Sequence, residues 1–129
     1  MKVLMLNGSP RKDGNTSIAV LDRLFYSSHF DKTMKVGVSV VCARRGGCSA
    51  TFDELNKYFT ISNMPIASSQ YWNSIHGRAQ GEAEMDEEGK QTMRVLARNM
   101  VFLMKSIALG KEKFGLPETE ERVATHFIR

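Results

Sequence analysis

Two short apolar runs, Lys2–Leu6 and Lys35–Cys42, each leave through a polar, glycine-containing loop and lead into a helical pattern. That repeated order limits the fold more than any other feature of the chain. A run that is apolar almost without alternation suits a strand buried on both faces, the environment of a parallel sheet. After the first run, Asn15 and Thr16 are good N-cap residues, and Ile18, Leu21, Leu24 and Phe25 follow at helical spacing. After the second, Thr51-Phe52-Asp53-Glu54 reads as a capping box, ahead of a helix from Phe52 to about Phe59. Pro65–Trp72 is predicted as a third strand, and Asn73–Met85 as an aperiodic loop long enough to serve as a lid or binding loop. A long helix is predicted from about Asp86, with Met93, Leu96, Ala97, Met100, Met104 and Ile107 on one stripe and Gly110 as its stop. Pro117 is read as opening a last short helix, Glu118–Ile128. Strands alternating with helices predict an α/β fold around a parallel sheet.

At 129 residues the chain is the size of one domain, taken here as 1–129. Its net charge of +4 comes with no block of like charges, so nucleic-acid binding is not expected. Cys42 and Cys48 fit neither a CxxC redox pair nor a zinc half-site, and they read as free packing thiols with no metal expected. No acid or histidine stands at a spacing that marks either as catalytic. The apolar opening is too short for a signal peptide, and no run approaches about twenty apolar residues. The expectation is a cytoplasmic protein without a membrane span.

In a parallel α/β sheet, ligands bind beyond the carboxyl ends of the strands. Both polar loops, Gly8–Thr16 and Ala43–Thr51, are predicted to lie there. A helix N-terminus presents unpaired amides and partial positive charge, and Ser9, Arg11, Asn15, Thr16 and Ser17 add donors around the first one. On local chemistry that is a ready seat for phosphate, or else a polar connection with ordinary helix capping. It is neither a Walker A loop, which needs Lys-Ser/Thr after its second glycine, nor GxGxxG.

MKVLMLNGSPRKDGNT resembles the opening of the flavodoxin-like NAD(P)H-dependent FMN reductases and related flavin-dependent oxidoreductases. The likeness continues in LDRLFYSS, VVCARRGGCSATFDELNKYF, MPIASSQYWNSIHG and MRVLARNM, covering most of residues 1–109. It implies FMN phosphate held by Ser9, Arg11, Asn15, Thr16 and Ser17, and the flavin ring beside Ala43, Arg44, Arg45, Gly46 and Gly47. It also implies NADPH or NADH as electron donor, a small-molecule or flavin acceptor, and a homo-oligomer, dimer or tetramer. Glycines 46 and 47 would let backbone line a flat ligand, and nearby positive charge would favour the reduced flavin. Trp72 and His76, read as the end of the third strand and the start of the loop, are candidates to cover the ring or else a core anchor and a surface histidine. No side chain is assigned as acid, base or nucleophile.

The chain departs from the family after Ala19-Val20, where the text passes directly to LDRLFY, residues of a much later helix in the family. The second and third strands are missing, a gap of roughly sixty residues or more on the usual size of a βα unit. The middle flavin-contacting loop goes with them, as do the cysteines that bind an iron–sulfur cluster in some relatives. The expected architecture is a flavodoxin-like three-layer parallel sheet shortened to about three strands, joined near 20/21 and extended by residues 111–129. Such a sheet exposes an edge and apolar surface that association would cover. A non-catalytic FMN-binding electron carrier, or a flavin-free oligomerising remnant of the fold, stands beside the reductase reading.

Overall fold

A computed structural model describes Leu6–Gly8 and residues 21–27, 29, 31–121 and 123–127. Three parallel strands form one sheet in the order β1 (Leu6–Gly8), β2 (Ser39–Ala43), β3 (Ser74–His76). Leu6 pairs with Ser39 and Gly8 with Val41 on one side of β2, while Val41 pairs with Ser74 and Ala43 with His76 on the other. The α/β class, the parallel sheet and the strand count agree with expectation.

Side chains alternate across a strand. Ser39, Val41 and Ala43 are fully buried, whereas Val40 and Cys42 are half-buried. Val41 and Ala43 pack with Cys48 and Leu55 of helix α2 (Cys48–Ile61), and Leu21 and Phe52 close over them. The alternate face carries Ile75, whose Cγ1 lies against Gly89 of helix α3 (Glu87–Phe114). Helices therefore cover both faces of the sheet.

Residues 21–26 are helical, here α1. Phe25 is buried between Tyr58 and Phe59 of α2, with ring centroids 5.5 and 5.8 Å away. The Tyr58 hydroxyl donates to Asp22 Oδ1 at 2.8 Å, joining α1 to α2. Burial first, and then the hydrogen bond to Asp22, push the Tyr58 phenol up to about 12. A raised folded value means that the stabilising contribution is complete below the ordinary tyrosine value near 10 and is lost as pH rises towards about 12. Tyr58→Phe is expected to cost about 1 kcal/mol at neutral pH, one hydrogen bond's net worth. It should also remove the latest-titrating phenolate from an alkaline absorbance titration at constant fold. A variant with the same late phenolate step would show that another tyrosine carries it.

Several local expectations are corrected. Helix α2 begins at Cys48, not Phe52, because Gly47 adopts φ 91° and turns the chain into it with no side-chain cap. Thr51 is thereby interior: its amide already bonds Gly47 O at 3.1 Å, and Glu54 pairs with Lys57 at 2.7 Å instead of reaching back. The capping box does not form. Pro65–Trp72 supplies only an isolated parallel bridge, Ile66 to Gly37, and the third strand is Ser74–His76. The segment read as an aperiodic loop thus holds β3 and a 3-10 turn, Glu82–Met85. What places β3 is Asn73, almost fully buried, whose carbonyl takes the Val41 amide at 2.9 Å and whose side chain donates to Ser39 O at 3.0 Å.

Helix α3 starts where expected, with Asp86 capping the Gly89 amide, and it runs past Gly110 to Phe114. Gly115, at φ 80°, ends it by donating to Lys111 O. A glycine inside a helix costs only about 1 kcal/mol, less than the good helix formers around Gly110 return. Residues 115–121 and 123–127 contain no helix, against the expectation for 118–128. Beyond Leu96 no residue of α3 is fully buried, and Phe102, Leu109 and Phe114 are exposed.

Candidate functional site

The site sits at the carboxyl-terminal edge of β2 and β3. The first-loop candidates Ser9, Arg11, Asn15, Thr16 and Ser17 lie outside the described residues. The second-loop candidates are all described. Ala43 ends β2 and is buried, while Arg44, Arg45, Gly46 and Gly47 are exposed. A side chain added at Gly46 or Gly47 would meet nothing within 4 Å, so the loop's outer face is open. Behind it, the first amides of α2 have no side-chain cap and carry the helix's partial positive charge. Two guanidinium groups and an uncapped helix N-terminus make this corner of the sheet a hydrogen-bond-donor surface.

The adjoining strand brings other chemistry to the same edge. His76 ends β3 opposite Ala43. Its Nε2 lies 3.6 Å from Cys48 Sγ, at the first residue of α2. Its Nδ1 faces Asp86 Oδ2 at 3.7 Å, and its backbone amide donates to the same oxygen at 2.7 Å. Asp86 Oδ1 takes the Gly89 amide at 2.8 Å. The amides of Gly89 and His76, in that order, hold the Asp86 carboxyl below its usual range. Burial, and then Cys42, push the Cys48 thiol up.

A histidine therefore does adjoin Cys48, and an acid adjoins that histidine, though spacing marked neither. They stand 28 residues and then a further 10 residues along the chain, across a crossover that no local pattern spans. The available signal was positional: a histidine ending one parallel strand meets the first residue of the helix that leaves its neighbour. Trp72 and His76 occupy opposite ends of β3 rather than one end. Trp72 precedes the strand, half-exposed and edge-on to Tyr71 at 4.5 Å, and does not share the edge with Arg44–Gly47.

Among the described residues, no group of three His, Cys, Asp or Glu side chains is placed to hold a metal ion. Nor is any helix there long and apolar enough to cross a membrane. No family model matches this chain, and no curated protein or solved structure matches it significantly.

Proposed function

We propose that this chain is a shortened flavodoxin-like FMN-binding oxidoreductase, cytoplasmic and homo-oligomeric, that takes electrons from NAD(P)H for a small-molecule acceptor. The observation that carries the reading is the uncapped N-terminus of α2 behind Arg44–Gly47 at the carboxyl edge of a parallel sheet. The residues fit the cofactor. A flavin ring needs donors for its carbonyl oxygens and an unobstructed backbone surface, and the open faces of Gly46 and Gly47 beside two arginines supply both. Ser9, Arg11, Asn15, Thr16 and Ser17 are assigned to the phosphate on the strength of their sequence order after β1. The redox chemistry is the cofactor's own: hydride uptake from NAD(P)H and electron release to an acceptor. The protein's part is to hold the phosphate and to place positive charge beside the ring.

The test is a titration of the 129-residue chain with FMN, followed by quenching of flavin fluorescence. Saturable, one-to-one binding is expected. Arg44→Ala/Arg45→Ala should weaken it by about tenfold or more, the scale of losing one charge-assisted hydrogen bond. Arg11→Ala/Thr16→Ala should weaken it comparably, through the phosphate. No binding by the unaltered chain overturns the reading. Binding without NADPH consumption would leave an electron carrier in place of a reductase.

A further inference from the structure

Cys48, His76 and Asp86 come from the start of α2, the end of β3 and the cap of α3, and they line up thiol, imidazole and carboxylate. The arrangement suits one tautomer of the ring. Asp86 carries its charge opposite Nδ1, which favours the ring proton there and leaves Nε2 free to accept from Cys48 Sγ. The 3.7 Å separation is longer than a direct hydrogen bond, so Asp86 acts on the ring through its charge. Burial keeps the resting thiol protonated, so the proton must leave Sγ as the sulfur reacts, and Nε2 is placed to take it.

We propose that Cys48 is a redox-modification site for a small hydroperoxide, with His76 as its proton carrier. In the step, Sγ attacks one peroxide oxygen: an S–O bond forms as the O–O bond breaks. The thiol proton passes to His76 Nε2 and from there to the departing hydroxide, which leaves as water. The sulfur loses two electrons and the peroxide gains them, so Cys48–SH and H2O2 become Cys48–SOH and H2O, and the ring regains its starting tautomer. Position at the N-terminus of α2 favours the negative charge that develops on sulfur.

Size selects the reagent. Cys48 is only 8% exposed, beside open space over Gly46 and Gly47. At that exposure a reagent the size of peroxide is expected to reach the sulfur and a bulky aromatic disulfide is not. Cys42, a half-buried free thiol, is an internal control on the same chain.

The test treats the full chain with hydrogen peroxide, traps sulfenic acid with dimedone, and follows the Cys42 and Cys48 peptides separately by mass spectrometry. Cys48 is expected to label faster than Cys42 despite its lower exposure, and the order should reverse with the bulky reagent 5,5′-dithiobis(2-nitrobenzoate). His76→Gln should slow labelling of Cys48 by about tenfold or more, at the low end of acid–base assistance, and leave Cys42 unchanged. His76→Gly should regain rate when imidazole is added, which a purely structural role would not produce. Peroxide labelling of Cys48 no faster than Cys42 overturns the proposal. So does an unchanged rate in His76→Gln, or no rescue by imidazole.

Discussion

Phe59→Ala is expected to lower the unfolding free energy by about 3–5 kcal/mol, the usual cost of emptying a buried phenylalanine site. Against a typical total of about 5–15 kcal/mol, that is a large fraction. Phe59 is 4% exposed and meets Phe25 edge-on at 5.8 Å, one of the contacts that join α1 to α2. On its other side the ring lies flat on Gly37. A methyl built at Gly37 would fall 2.5 Å from Phe59 Cγ and 2.8 Å from both Cδ atoms, closer than any real contact. Gly37 is fixed in turn, its amide on Pro65 O at 2.8 Å and its carbonyl receiving the Ala67 amide at 3.0 Å. Neither partner can retreat, so Gly37→Ala should cost about 1–3 kcal/mol by overpacking. This holds although alanine would stiffen the unfolded chain and favour folding by about 0.4–1 kcal/mol.

The two effects must interact. In a Phe59→Ala background the added methyl enters the space the ring vacates, and Gly37→Ala becomes neutral or stabilising. A double-mutant cycle by urea unfolding is expected to show coupling of at least about 1 kcal/mol. Additive single effects would mean that the ring does not rest on this glycine.

Gly37 also shows what the sequence could and could not reveal. Its run, Lys35–Cys42, was legible as a strand from β-branched residues, but only Ser39–Ala43 pairs in the sheet. At Gly37 the chain makes a bridge to Ile66 instead, since the glycine is reserved for the aromatic ring. Within Pro65–Ala67 only Ala67 is buried, at 2% exposed, while Ile66 is 38% exposed, so the segment makes a bridge and not a strand. The true third strand was illegible because Ser74-Ile75-His76 has no apolar period. It is fastened by a buried asparagine whose two hydrogen bonds to β2 are long-range. The start of α3 was legible because a cap is local chemistry, Asp86 followed by two acids. The start of α2 was not, because a left-handed glycine opened the helix four residues ahead of the threonine that looked like its cap.

The site divides along the same line. The loop Arg44–Gly47 could be placed from order alone, a polar segment leaving a β-rich run, and the structure puts it at the carboxyl edge of β2. The Cys48–His76–Asp86 line depends on register. Ala43 pairs with His76, and a slip of one residue in that pairing would turn the imidazole to the other face of the sheet. Sequence patterns record which residues are apolar and where turns fall. They do not record which strand lies beside which, and this cluster exists only through that adjacency.

Asp86 holds that register, and its replacement should cost more than an ordinary cap. Asp86→Ala is expected to lose about 2–3 kcal/mol, since one carboxylate receives two backbone amides, Gly89 at 2.8 Å and His76 at 2.7 Å. The first belongs to α3 and the second to β3, so the same group caps the helix and fastens the strand's end to it. The two amides hold its folded value below the usual carboxylate range. A depressed folded value means that the contribution is complete above about pH 4, the ordinary aspartate range, and is lost as pH falls through the lower folded value. The gap between the unaltered chain and Asp86→Asn should therefore be widest at neutral pH and close progressively below about pH 4. Urea midpoints measured from pH 7 down to pH 3 give that gap directly. Acid sensitivity will not vanish in the variant, because Glu82, which accepts the Arg78 and Ala79 amides, and Asp31, which accepts from Thr33, are held low as well. A constant gap at every pH would mean that the lost stability is shape rather than charge, and that the carboxylate is not what ties β3 to α3.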